Sequence, residues 1–313
     1  MPQLASLPGR DIHKIVTLSH RCGHADGVEP FNEQTVLALQ KPASPGREHF
    51  LVPQEDRPDH IIGYAQLEIV GTTAETELAV DPDHRRRGVG RALLRTVIDS
   101  LESNVTQIRT WAHGDLPSAA ALARAEGFGR DRVLFQLGRD LDGFEWPVSW
   151  PKEARENWPV GAGAPVDLPA GIGLRSFETD RDEAEWTRVN AEAFADHPEQ
   201  GRWTIADLRD RMGERWFDPE GLIVAEDARG MLGFHWTKVE GGVGEVYVLG
   251  VDPRSQGTGL GRALTLAGLA HMAAHGIRQI DLYTDESNTR AVELYRSMGF
   301  EVVRSDVQWA KRL

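Results

Sequence analysis

Several groups in this chain are spaced so that they could act on one ligand. Gln256-Gly257-Thr258-Gly259-Leu260-Gly261 follows the apolar run Gly244–Val251 and leads into the amphipathic run that begins at Arg262. Glycines let backbone N–H groups approach a phosphate closely, and a helix starting there turns its partial positive end toward the anion. Gly-x-Gly alone fits a tight turn equally well; the strand before it and the helix after it favour phosphate binding. Glu245 adds a carboxylate at the head of the apolar run, and Tyr295 adds a phenol farther along. A carboxylate can accept a proton, and a phenol with a reference pKa of about 10 can donate one at neutral pH. Both have plainer readings: Glu245 as a solvated strand-edge charge, Tyr295 as a core aromatic. Arg85-Arg86-Arg87 lies directly before a second glycine loop, Gly88-Val89-Gly90-Arg91, and reads there as a phosphate clamp.

These groups need strands and helices to place them. Helices are expected within 11–39, a polar loop over 42–58, and strands over 60–70 and 76–80. A helix from the glycine loop to about Leu101, a strand at 108–111, a helix at 118–125 and a strand at 133–137 follow. Leu141 to Ala170 carries Pro147, Pro151, Pro159, Pro165 and Pro169 with Trp146, Trp150 and Trp158, and reads as a linker packed on a domain surface. The order then begins again. Strands are expected at 174–177, 222–226, 231–239, 244–251, 279–284 and 302–309, with helices at 183–194, from Thr204, after the glycine motif, and at 288–297. By period two, Glu245, Tyr247 and Leu249 share a strand face. Asn288, Ala291, Val292 and Tyr295 share a helix face, with roughly 10 Å of axis between Asn288 and Tyr295.

The second half repeats the first. Val-Asp-Pro stands at 80–82 and 251–253, 171 residues apart; Gly88–Leu93 matches Gly259–Leu264 at the same offset, and Gly127-Phe128 matches Gly299-Phe300 at 172. Each half alternates strands and helices, so the fold class is α/β (α+β): two tandem domains, 1–140 and 171–313, each with a mixed sheet flanked by helices. At the offset of 171, Glu245 falls opposite Ala74. Glu75 is one residue away and should face the other side of its strand. At 172, Tyr295 falls opposite Ala123. The first half then lacks both groups and would bind the ligand without turning it over.

Both halves resemble the GNAT acetyltransferases over most of their length. The resemblance implies acetyl-CoA held between splayed central strands, with its pyrophosphate at the glycine loop. Acyl transfer to an amine needs a base for the ammonium proton and gains from a proton donor to the leaving thiolate. Trp111-Ala-His-Gly114, His197-Pro-Glu-Gln-Gly201, Trp216-Phe-Asp-Pro219, Gly233–Val239 and Gly244–Pro253 are similar to the mycothiol synthase branch of that family. That similarity implies transfer of acetyl to the cysteine amine of desacetylmycothiol, a cysteinyl-glucosaminyl-inositol. It makes Glu245 the general base and Tyr295 the general acid. Substrate contacts would fall on Glu33, Glu199, Lys238, Glu245 and Tyr283. Leu249, Gly250 and Val251, Gln256 to Arg262, and Asn288, Thr289, Arg290, Ala291, Val292 and Glu293 would hold the catalytic acetyl-CoA. Leu78, Ala79 and Val80, with Arg86, Arg87, Gly88, Val89, Gly90 and Arg91, would hold a second copy. A GNAT enzyme for another amine, such as an aminoglycoside or a protein N-terminus, and a non-catalytic acyl-CoA-binding module are the alternatives.

Composition limits the rest. Thirty-five basic against 48 acidic residues leave a net charge of −13, which argues against a broad nucleic-acid surface. Cys22 is the only cysteine, so no intramolecular disulfide or Cys-rich metal site is possible. No metal-ligand cluster is visible, and His235, in mid-strand, reads as a packed residue. No apolar run reaches transmembrane length, and the N-terminus lacks a signal-peptide layout. A cytoplasmic monomer is expected, away from membranes and nucleic acid.

Overall fold

The computed structural model describes residues 3–142, 168–195 and 200–313. The chain forms two compact units. The first gathers Met1–Phe135, Asp285–Asn288 and Arg304–Leu313; the second gathers Gln136–Thr284 and Thr289–Val303.

The first unit is built on β1 (Gln3–Leu4), β2 (Arg47–Gln54), β3 (Arg57–Val70), β4 (Thr73–Val80) and β5 (Gln107–Ala112), followed by β12 (Glu301–Arg312) and the start of β6 (Gly129–Asp140). Strands β4 and β5 are parallel; their rungs run from Thr73↔Gln107 to Thr76↔Thr110 and end there, so the strands part beyond Thr76. Helix α3 (Val89–Asp99) buries Leu93, Leu94 and Val97, one stripe at helical spacing, against Ala65, Leu67 and Ala74. On the opposite face α1 (Gly9–Asp26) sets Ile15, Leu18 and Cys22 against Leu51, Ile61, Tyr64 and Ala79. Two short helices, α2 (Glu33–Ala38) and α4 (Pro117–Ala125), complete the unit. The loop expected over 42–58 is instead largely strand β2. Its Phe50 and Leu51 are buried on opposite faces and pair with Ala65 and Tyr64, which outweighs the polar and Pro-rich composition. Pro53 is accommodated at a shift in register.

The second unit orders its strands as the end of β6, then β11 (Gln279–Asp285), β10 (Val243–Val251), β9 (Gly230–Glu240), β8 (Leu222–Asp227) and β7 (Gly173–Ser176). Helix α7 (Leu260–Ala274) is apolar nearly all round and lies against Ile223, Ala225 and Leu232. Helix α5 (Glu183–Ala193) sets Trp186 and Val189 against Val224, Phe234 and Trp236 on the other face. A Cβ on Gly268 of α7 would stand 2.0 Å from Cε1 of His235, so the glycine is the space in which that imidazole lies. His235 is fully buried, with Nδ1 2.7 Å from the Leu264 carbonyl, and burial lowers its pKa to about 4. It is a neutral packed residue, as its mid-strand position suggests. Helix α6 (Ile205–Met212) starts on a capping box between Thr204 and Asp207, and α8 (Thr289–Ser297) follows β11.

Of the proline-rich stretch 141–170, the tryptophans Trp146, Trp150 and Trp158 lie outside the described residues. Among the described residues no helix is long and apolar enough to cross a membrane.

Candidate active site

Strand β10 runs antiparallel to β9 and parallel to β11. Glu245 faces Lys238 on one neighbour and Asp281 on the other, and the rungs with β11 end one residue later, at Val246↔Leu282. The strands part from that point. Tyr283, two residues beyond Asp281 and 43% exposed, stands on the same side of β11. Lys238, Glu245 and Tyr283, three of the five expected substrate contacts, thus sit on three adjacent strands. Glu33 opens α2 in the first unit, and its side chain lies outside what is described, as does the whole of Glu199. Lys238 pairs with Glu240 at 3.2 Å, and its ammonium lies 5.2 Å from the ring centre of Trp216.

The ladder breaks between Val246 and Val248: Val246 pairs with Thr237 and Val248 with Trp236, so Tyr247 is an extra residue in a β-bulge. Period two fails across it. Tyr247 and Val248 both pack toward α5, while Leu249 and Val251 pack toward α7. The single face expected for Glu245, Tyr247 and Leu249 therefore does not exist. A Cβ on Gly244 would meet Met272 and Ile277 on the α7 side, which puts Glu245 on the α5 side with Tyr247.

The bulge also corrects the alignment of the halves. In the first unit β4 has eight residues to the nine of β10, and its ladder with β3 is unbroken from Val70↔Thr73 to Gly63↔Val80. Ala74↔Ile108 and Glu75↔Arg109 are the same rungs as Gly244↔Ile280 and Glu245↔Asp281. The counterpart of Glu245 is therefore Glu75, not Ala74. The constant offset hid this because one residue is gained in the strand itself. The counterpart of Tyr295 remains Ala123: the N–H of Phe128 bonds the Ala123 carbonyl at 2.9 Å, as that of Phe300 bonds Tyr295 at 3.0 Å.

Each glycine loop is launched by the repeated Val-Asp-Pro. The Asp252 carboxylate accepts the N–H of Arg254 at 2.9 Å, and Asp81 accepts that of Asp83 at 3.0 Å, each starting a single helical turn. The Arg254 guanidinium and backbone amide, with Arg188, hold the Asp252 carboxyl down to about 2 against the opposing effect of burial. Gly257 (φ 78°) and Gly259 (φ 91°) then take left-handed conformations, and a Cβ at either would meet nothing within 4 Å. The requirement is backbone freedom, not space. Gly259 starts α7 with no side-chain cap, leaving first-turn N–H groups for an anion. In the first unit Gly88 repeats Gly259 at φ 84°, but Arg86 holds the place of Gly257 at φ 61°. Arg85, expected as part of a phosphate clamp, is held by a carboxylate. Its guanidinium binds Asp26 with two bonds of 2.7 Å, and its Nε binds the Val80 carbonyl. Arg85, Arg86 and Arg91 all line the cleft.

The loop of the second unit is tied to α8: Arg290 bonds Gln256 at 2.9 Å, and Arg262 bonds Ser297 at 3.1 Å. Asn288 precedes α8, and Thr289, Arg290 and Glu293 are exposed on it. Val292 and Tyr295 are buried one turn apart, with the phenol ring 5.8 Å from Phe300. Burial pushes the Tyr295 phenol above its ordinary range, so it holds its proton at neutral pH.

The first unit contains a cavity of about 460 Å³ between the parted ends of β4 and β5, a size suited to part of an extended ligand. Leu78, Ala79 and Val80 line one wall; Arg86, Gly88, Val89, Gly90 and Arg91 line the loop end. Arg87 is exposed and not part of the lining. On the far wall His113 sits between two carboxylates, 2.8 Å from Glu77 and 2.9 Å from Asp306. Burial works against its charge, but the bonds to Asp306 and Glu77 outweigh it and raise its pKa to about 9. No sequence pattern pointed to this trio, because its members lie on β4, after β5 and on β12. Among the described residues no three His, Cys, Asp or Glu side chains gather as a metal site.

The acetyltransferase (GNAT) family model matches residues 12–129 and again 184–300. The mycothiol acetyltransferase of Thermobispora bispora is 45% identical over 99% of this chain and 98% of its own, and that of Salinispora arenicola is 47% identical over 93% and 90%. Two solved structures share the fold over 99% of this chain. They are a GCN5-related N-acetyltransferase from Sphaerobacter thermophilus (TM-score 0.71, 23% identity, 95% of that chain) and a tandem GNAT protein from the clavulanic acid pathway (TM-score 0.70, 20% identity, 97% of that chain). Two parted parallel strands, each followed by a glycine loop and an uncapped helix, are the frame on which these matches fall, and the chain belongs to the GNAT acetyltransferase family as a tandem member of its mycothiol acetyltransferase branch.

Proposed function

We propose that the second unit transfers the acetyl group of acetyl-CoA to the cysteine amine of desacetylmycothiol. The observation that carries this reading is the full-length likeness to mycothiol acetyltransferases, together with Lys238, Glu245 and Tyr283 on adjoining strands where the sheet opens. Acetyl-CoA fits the frame in kind. Gly257, Gly259 and the start of α7 offer N–H groups to its pyrophosphate, Leu249 and Val251 line the edge of β10, and Arg262 and Arg290 fasten loop to helix. Glu245 takes the proton of the attacking ammonium. As the new C–N bond forms and the C–S bond breaks, Tyr295 gives its proton to the leaving sulfur, and the second proton that the nitrogen loses on becoming an amide restores the phenol. Lys238 and Tyr283 orient the hydroxyl-rich acceptor. Glu33 and Glu199 are proposed as further acceptor contacts, and Asn288 as a cofactor contact.

The first unit, in this reading, holds a second acetyl-CoA without turning it over. It keeps the cleft and a carboxylate, Glu75, in the ladder place of Glu245. It lacks the bulge, and Ala123 stands for the phenol. As sequence units the halves are 1–140 and 171–313, joined by 141–170. The test is incubation with acetyl-CoA and a panel of amines including desacetylmycothiol, following CoA release. Preference for a simple polyamine, an aminoglycoside or a peptide N-terminus would overturn the acceptor and leave the acetyltransferase standing.

A further inference from the structure

The two units share their rungs up to Thr76 and Val246, and there β10 gains Tyr247. A bulge is not fixed by a ladder alone, because an extra residue can be accommodated at neighbouring rungs. A shift of one place would turn Val246 and then Glu245 toward the opposite face. Something outside the ladder must hold it. The Tyr247 ring lies 4.9 Å from Trp216 and 5.5 Å from Trp236, both at steep angles, and 6.4 Å from Trp203. Its hydroxyl accepts a hydrogen bond from Nε of Arg211 at 3.0 Å, and the Arg211 guanidinium lies 3.8 Å over the Trp203 ring. Arg211 is on α6 and also donates to the Asp207 carbonyl at 3.1 Å, within the turn fixed by the Thr204–Asp207 capping box. A planar guanidinium can stack and donate at once, which an ammonium cannot do. In the unbulged strand the next residue after Thr76 is Glu77, a carboxylate bound to His113 in place of an aromatic side chain.

We propose that Tyr247, clamped by Arg211 against Trp203 and Trp216, is a positioning residue that pins the β10 bulge and so keeps Glu245 in its rung between Lys238 and Asp281. The inference rests on reading Glu245 as the base. The clamp joins β10 to α6 and its tryptophans, away from the glycine loop, so its loss should spare cofactor binding and impair the chemical step.

The test is steady-state kinetics of the full chain carrying Tyr247→Phe, Arg211→Ala, both together, or Arg211→Lys, with Glu245→Gln measured alongside. Each single change should lower kcat about 10- to 100-fold, the cost of a small misplacement of a catalytic group. KM for acetyl-CoA should stay within about twofold. The double variant should be no worse than the worse single, since both remove one clamp. Arg211→Lys should restore only part of kcat, and the acid limb of the pH–rate profile should move in the clamp variants. Wild-type kcat in both singles, or losses that multiply in the double, would overturn the clamp. Should Glu245→Gln itself keep wild-type turnover, the reading of the base fails first. Should Glu245→Gln abolish turnover while Tyr247→Phe and Arg211→Ala do not, the clamp alone fails.

Discussion

Glu75 and Glu245 occupy the same rung with the same side chain, so the carboxylate cannot be what separates the two units. What differs is the company. Glu245 lies between Lys238 and Asp281, Glu75 between Glu68 and Arg109. Tyr295 has a methyl group, Ala123, as its counterpart. Glu245→Gln and Tyr295→Phe should each lower kcat by about 10²- to 10⁴-fold, the usual worth of a positioned acid or base, with acetyl-CoA affinity nearly unchanged by calorimetry. Glu75→Gln should leave turnover as it is; a loss as large as that at Glu245 would make the first unit catalytic. Arg86, a non-glycine residue at φ 61°, stores backbone strain at the mouth of the cavity. Arg86→Gly should raise the thermal stability of the ligand-free protein by about 1 kcal/mol, while the further stabilisation by added CoA shrinks because a guanidinium is lost.

At the scale of elements, the sequence displayed most of the frame. Leu93, Leu94 and Val97 at helical spacing, the repeated Val-Asp-Pro and the glycine loops were legible because each is local. The bulge was not. An alternating strand with one extra residue still alternates, and only its neighbours reveal that Val246 and Val248 face consecutive residues of β9. The same blindness hid Glu75 as the counterpart of Glu245. Strand β2 was missed because proline and charge at its ends masked the buried Phe50 and Leu51. Asp281 and the Arg211–Tyr247 bond were out of reach, since they join elements distant in the chain. Helix α7 offers a direct check on packing: Gly268→Ala would drive a methyl group into His235, with no flexible end to yield. It should cost about 1–3 kcal/mol in denaturant unfolding, as overpacked cores do; an unchanged midpoint would show that α7 can shift away from the sheet.

At the scale of the molecule, the first unit takes in Arg304–Leu313, far along the chain from its other strands. Val307–Arg312 pair with Gln107–Ala112, the Leu313 amide bonds the Thr106 carbonyl at 3.0 Å, and Asp306 holds His113. A histidine whose folded pKa is about 9 binds its proton more tightly folded than unfolded. Its contribution is complete below about pH 6.5 and fades as the pH rises through 9, on the order of 3 kcal/mol at most. Thermal melts between pH 6.5 and 9.5 should show this loss in the wild type and not in His113→Gln. Asp252 acts in the opposite direction. Its lowered carboxyl supports the fold above about pH 4, and that support disappears as the pH falls toward 2. The place of β12 has a further consequence, for synthesis. A ribosome makes residues 1–135 well before β12, the strand that lies beside β5. During translation of the whole second half, β5 therefore presents an open edge that a chaperone or another nascent chain can occupy. Ribosome-bound chains arrested before Arg304 should be cut by protease within β5, and chains that include β12 and have left the ribosome should not.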